Sequence, residues 1–154
     1  MGNIKLFQDN KIRSAWNDEE EQWYFSVVDV VEALTDSVNP TDYLKKIRKR
    51  DKSLATYLGT NCPQVEMLTE SGKKRKILAA NVKSLFRIIQ SIPSPKAEPF
   101  KQWLSQVGYD RMLEIENPEL AQERMKLLYE QKGYPKDWID KRLRGIAIRQ
   151  NLTD

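Results

Sequence analysis

The chain has 154 residues, 40% hydrophobic and 31% charged, with a formal net charge of +4, no His and a single Cys. That profile suits a soluble globular protein, built as one compact domain with an appendage or as two very small ones. It excludes an intrachain disulfide, His-based catalysis and the usual zinc sites, and no stretch approaches the roughly 18 apolar residues of a membrane span.

The charge is unevenly spread. Residues 1–36 hold three Lys/Arg against eight Asp/Glu, residues 37–109 fourteen against five, and residues 110–154 nine of each. A basic middle between an acidic start and a neutral end suggests a polyanion partner. The opening MGNIKLFQDNK lacks the apolar core of a secretory signal, and Cys62 as the sole thiol suits a reducing cytoplasm.

In chain order, IKLF (4–7) and KIRSAW (11–16) flank Gln-Asp-Asn and predict a short β-hairpin. NDEEEQ (17–22) reads as a polar turn and WYF (23–25) as a third strand. SVVDVVEAL (26–34) predicts a helix with Ser26 as N-cap, Asp29 at N3, and Val27, Val30, Val31 and Leu34 on one stripe. After the break SVNPTD, Pro40 or Thr41 opens a second helix that runs to about Asp51, with Leu58 as its outer limit. Successive residues 100° apart put Tyr43, Leu44, Ile47 and Leu54 in one sector; Lys45, Arg48, Lys49 and Lys52 lie opposite, with Lys46 and Arg50 at the margin.

GTNCPQ (59–64) is a loop, and VEMLT (65–69) with RKILA (75–79) forms a second hairpin whose turn geometry Gly72 supplies. Asn81 caps an amphipathic helix, VKSLFRIIQSI (82–92), before the bend PSPKAEP. Helix resumes in FKQWLSQVG (100–108). Beyond Asn117-Pro118, segments 118–133 and 135–151 predict an αα-hairpin with Gly133 as the stop. Its second helix has no stop signal before Asp154, the pattern of a chain cut from a longer protein.

Two constellations point to nucleic acid. On the helix, six of the twelve residues from Thr41 to Lys52 are cations, interrupted only by Asp42 and Asp51. A merely solvated helix mixes signs to gain i,i+4 pairs, whereas one-sided cations neutralise phosphates and release counterions. On the second hairpin, Lys73, Lys74, Arg75 and Lys76 form a basic wing, although lysines on a strand also serve to protect a sheet edge. The early aromatics Trp16, Trp23, Tyr24 and Phe25 sit in the acidic segment, so core packing is their better reading than base stacking, and the same holds for Tyr43 and Tyr57. Asp18-Glu19-Glu20-Glu21 on a turn lacks the geometry for magnesium, and Glu66 and Glu70 near Lys73 only faintly evoke a metal-dependent nuclease. The acidic segment suits repelling nucleic acid or attracting a basic partner. No phosphate-cradling loop, metal set, cofactor site or activated nucleophile is visible, and a non-enzyme follows.

From Ile4 to about Glu114 the chain resembles the N-terminal domain of the BRO family, found in phage antirepressors and in relatives of the bacterial damage-inducible protein D. The matching pieces are QWYFSVVDVVEAL (22–34), NPTDYLKKIRKRD (39–51) and MLTESGKKRKILAANVKSLFRIIQSIPSPKAEPFKQWL (67–104). The tail GYPKDWIDKRLRGIAIRQNLTD (133–154) is similar to an extension in the damage-inducible branch. One departure is that many phage members carry Gly-Leu-Tyr-x-Leu where this chain has Asn81-Val82-Lys83-Ser84-Leu85-Phe86-Arg87. The resemblance implies a DNA-binding α+β domain at the front of a regulator; the site residues rest on charge geometry instead.

The resulting expectation is an α+β fold of small antiparallel hairpins packed with several helices. Residues 4–115 form the DNA-binding domain and 116–154 a helical-hairpin extension. The function is a cytoplasmic DNA-binding regulator of prophage or damage-response type, an antirepressor that meets duplex phosphates through Lys45, Lys46, Arg48, Lys49 and Lys52 and through Lys73, Lys74, Arg75 and Lys76. Arg48 is the best base-reading candidate, because Arg pairs bidentately with guanine. The alternative is an interaction module that sequesters a phage repressor or recombination protein without DNA, or that pairs with a second copy through Leu127, Leu128, Trp138 and Ile146.

Overall fold

The structure, a computed structural model, describes residues 12–69 and 71–153, the last seven of these through their backbone alone. Among the described residues the order is β1 (Ser14–Asn17), β2 (Gln22–Ser26), α1 (Val27–Thr35), α2 (Pro40–Arg50), α3 (Lys52–Asn61), β3 (Gln64–Leu68), β4 (Lys74–Ala80), α4 (Val82–Gln90), α5 (Glu98–Glu116), α6 (Glu119–Gln131) and α7 (Lys136–Thr153). A 3₁₀ turn, Pro95–Ala97, precedes α5. The fold is α+β, as expected. The expected strand at 4–7 lies outside the described residues, and the hairpin seen here is β1–β2. The chain divides into two compact units, one ending at Trp103 and the other beginning at Leu104, ahead of the Asn117-Pro118 break.

In the first unit the strands lie in the order β1-β2-β4-β3, antiparallel throughout. The hairpins β1–β2 and β3–β4 are joined along only two residue pairs, Phe25 with Ala80 and Ser26 with Ala79. So short a seam lets the sheet curl. The Arg13 guanidinium, leading into one edge strand, donates to the Leu68 carbonyl at the end of the other edge strand (3.1 Å). Side-chain alternation gathers Tyr24, Met67 and Ala79 into a buried cluster with Ala15, Val65 and Ile77.

Ser26 ends β2 and caps α1, accepting from the Asp29 N–H at 3.3 Å. The Asp29 carboxylate in turn receives the Arg13 side chain bidentately (2.8 and 2.9 Å) and the Arg13 backbone N–H (3.0 Å). Helix α1 then buries Val27, Val30, Val31 and Leu34 completely and packs against α2, β2, β4 and the 3₁₀ turn.

At Asp51 the helix breaks, so it does not continue to Leu58. Asp51 closes α2, its N–H donating to the Ile47 carbonyl (2.8 Å), and its carboxylate caps α3 by accepting from the Leu54 N–H (3.0 Å). One residue in extended conformation thus turns a helical pattern into two helices, while Leu44, Ile47, Leu54 and Leu58 all stay buried. The second hairpin closes at Gly72, which sits at φ +82° as a left-handed turn requires.

The core reading of the early aromatics holds for Tyr24 and Phe25 and fails for the tryptophans. Trp16 and Trp23 are cross-strand partners that meet edge to face (5.4 Å) and remain 48% and 36% exposed. They lie at the turn end of β1–β2, away from the seam with β4.

The second unit comprises the rest of α5 with α6 and α7, the latter two joined at Gly133 (φ +83°). Its buried carboxylate, Glu114 on α5, is gripped by Arg124 of α6 and approached by Arg111 (3.6 Å).

Arg13→Ala strips Asp29 of its bidentate partner and is expected to cost about 2 kcal/mol, with Arg13→Lys recovering only part of it. Thermal unfolding followed by circular dichroism reads this, and unchanged stability would refute the clasp. Hydrogen bonding from the Leu54 N–H holds the Asp51 carboxyl below its ordinary range, so the cap stabilises above about pH 4 and is lost as pH falls further. Asp51→Asn keeps an acceptor, and its acid unfolding curve is expected to lose that share of the pH dependence.

Candidate nucleic-acid interface

The basic helix is α2. Asn39 caps it, accepting from the Asp42 N–H (3.1 Å), and Pro40 fills the first turn. Leu44 and Ile47 anchor one side, with Tyr43 half-buried beside them. Lys45, Lys46, Arg48, Lys49 and Arg50 are all exposed, and Lys52 is exposed as the first residue of α3. The one ion pair on this helix among the described residues joins Lys46 to Asp42 (3.1 Å). Among the described residues, Lys45, Arg48, Lys49, Arg50 and Lys52 have no carboxylate within 4 Å. The wheel that places Arg50 at the margin assumes a continuing helix; because α2 ends there, Arg50 is as exposed as its neighbours. Arg48 leans toward the end of α3, where its charge opposes the upward push that burial gives the Cys62 thiol.

Tyr57 is half-buried and tied to α4. Its hydroxyl shares a hydrogen bond with Ser84 Oγ (3.3 Å), and the Arg87 guanidinium lies 5.8 Å from its ring centroid, tying α3 to α4. The cation and ring form a favourable pair and explain why Arg87 does not add to the basic surface.

On the second hairpin Lys73 lies in the turn and Lys74, Arg75 and Lys76 open β4, all four exposed. Register separates them. Lys74 and Lys76 oppose Leu68 and Glu66, whereas Arg75 opposes Met67 and belongs to the other side of the strand. Arg75 lines a groove between the hairpin turn and α1 whose walls include Asp29, Glu32 and Asp36. Its other cations are Arg13 and Lys96, which pair with Asp29 (2.8 Å) and Asp36 (2.6 Å). None of the α2 cations lines it. The α2 cations thus lie apart from the groove beside the hairpin turn, which holds three carboxylates and three cations.

The acidic turn is knitted into its own hairpin. Trp16 Nε1 donates to Asp18 (2.7 Å), and Glu20 accepts from the Tyr24 hydroxyl and from Gln22 (2.8 Å). The Tyr24 bond, with help from Gln22, holds the Glu20 carboxyl below its usual range, and the same contact raises the Tyr24 phenol. Among the described residues no three His, Cys, Asp or Glu side chains converge on a metal position, and no helix is long and apolar enough to cross a membrane. Glu70 lies outside the described residues.

No curated protein and no solved structure matches this chain. Residues 11–108 match the family model described as the BRO family, N-terminal domain, a family associated with phage antirepressors and DNA-binding regulators. The match takes in all four strands, α1 to α4 and the start of α5, well over half of the chain. The chain belongs to the BRO family and carries its N-terminal domain.

Proposed function

We propose that this protein binds double-stranded DNA as a cytoplasmic regulator of the prophage or damage-response kind, with an antirepressor's role. Residues 4–115 do the binding and 116–154 extend it. The observation that carries the reading is the run of cations on α2 and at the start of α3, of which only Lys46 has a carboxylate within 4 Å among the described residues. Phosphates supply the missing counter-charge, and each contact releases condensed cations from the duplex. Lys45, Arg48, Lys49 and Lys52 lead, with Lys46 weakened by its bond to Asp42. From the hairpin, Lys73, Lys74 and Lys76 contribute, and Arg75 contributes least because it faces the acidic groove. Any base reading falls to Arg48, the arginine in the middle of the basic face.

A second reading, sequestration of a repressor or recombination protein, is favoured by one observation. The exposed Trp16–Trp23 pair beside the acidic turn is an apolar and anionic surface of the kind that takes a basic partner.

Fluorescence anisotropy with a random duplex across a salt series tests the first reading. The log–log slope is expected to lose about 3–4 when Lys45, Arg48, Lys49 and Lys52 are all changed to Ala, and about 2 for the Lys74→Ala/Lys76→Ala pair. Arg75→Ala changes it by less than about 1. A weak, salt-insensitive response of the unaltered chain would sink the DNA reading, and nuclease-resistant capture of a regulator that depends on Trp16 and Trp23 would replace it.

A further inference from the structure

Among its described residues, the second unit leaves many of its large apolar side chains exposed. Of the thirteen exposed large hydrophobics among the described residues, eight lie from Val107 to Trp138, including Met112, Ile115, Leu127, Leu128, Tyr134 and Trp138. Among the described residues of this unit, the one hydrophobic side chain that is fully buried is Ile139. Helices draw most of their stability from packing an apolar face, and the described side chains of this unit bury only Ile139 and the Glu114 carboxylate fully, with the other apolar residues half-buried or exposed. The helical spacing points the same way. Tyr109, Met112 and Ile115 on α5 recur every three residues and so lie along one side of the helix, an apolar stripe left exposed.

We propose that a second copy of this chain covers this surface, so that residues 104–154 form a homodimerisation module. Three observations select a copy of the chain over another occupant. The first is size: eight large side chains, each roughly half exposed, offer on the order of 800 Å², the area one partner contributes to a standard interface. The second is charge. Residues 104–109 carry none and 110–154 carry nine basic and nine acidic residues, so two copies meet without net repulsion, whereas the +4 of the chain lies in the other unit. The third is preorganisation. Tyr129, Tyr134 and Trp138 pack together at the α6–α7 turn, with Tyr134 stacked on Trp138 (4.5 Å, 16°) and Tyr129 edge-on to both (5.5 and 5.1 Å). Aromatic anchors already held in place lose little freedom on association and sit at the centre of strong interfaces. A two-fold dimer uses the same patch on both copies, which a neutral, mixed-charge surface permits. The proposal is independent of the DNA reading.

Sedimentation equilibrium of the full chain, without DNA and over about 1–100 µM, tests it. A monomer–dimer equilibrium is expected. Leu127→Lys with Leu128→Lys, both at exposed positions, is expected to raise the dimer Kd at least tenfold with unchanged helical circular dichroism. Trp16→Ser with Trp23→Ser, which removes the exposed pair of the first unit, is expected to leave it unchanged. As a second readout, mixing donor- and acceptor-labelled copies yields energy transfer that excess unlabelled chain competes away. A monomer at every concentration overturns the proposal, as does a dimer that ignores the α6 lysines or dissociates on loss of the tryptophan pair.

Discussion

The first unit is organised by a single ion pair. Arg13 reaches the Asp29 carboxylate through both its backbone and its side chain, while Asp29 donates its own N–H to Ser26. Through these bonds the entry to β1, the end of β2 and the first turn of α1 become one object, and the remaining guanidinium nitrogen adds the end of β3. The Asp29 side chain is nearly buried and that of Arg13 about one-third exposed, so the pair is partly desolvated and its hydrogen bonds are worth more than those of a surface pair. Everything that α1 then touches takes its position from that joint: the strands, α2 and the 3₁₀ turn before α5.

Much of this was legible in the sequence because it is local. Ser26 with Asp29, Pro40 and Asn81 announce helix starts, the two caps through side chains that bond backbone three residues on, and Gly72 and Gly133 announce turns through the conformation only glycine takes freely. The clasp was not legible, since Arg13 and Asp29 are sixteen residues apart and nothing in a strand pattern tells an arginine which carboxylate it will meet. The corner at Asp51 was hidden for a different reason. The apolar positions of α2 and α3 continue nearly in phase across it, so periodicity reports one helix where a cap has made two. Trp16 and Trp23 misled because aromatic strands usually read as core; which face is covered depends on how far the neighbouring strands extend.

The same distinction separates the bland and functional readings of the α2 cations. Arg48, Lys49 and Arg50 stand in the last turn, where positive charge complements the helix dipole and needs no ligand to explain it. Lys45 lies a turn earlier, and Lys52 opens α3, where the dipole disfavours a cation. The dipole therefore accounts for Arg48, Lys49 and Arg50 but not for Lys52, and it leaves Lys45 unexplained. That the α2 cations are exposed on one helix was visible from composition and spacing. The separation of Arg75 from Lys74 and Lys76 could not be seen until the register of β3 and β4 was known.

The two-pair seam between the hairpins has a mechanical consequence. Only the innermost residues, Phe25 and Ser26 with Ala79 and Ala80, belong to a ladder that crosses the sheet; outward of them, β3 and β4 are bonded to each other and clasped at Leu68 by Arg13. The second hairpin is thus held to the first at two places, by the seam at Ala79 and Ala80 and by the Arg13 bond at Leu68, with Met67 packed against Tyr24 between them. Of the two, the Arg13 bond lies beside the turn, so the freedom of Lys73 and Lys74 depends on a single guanidinium from the opposite edge strand.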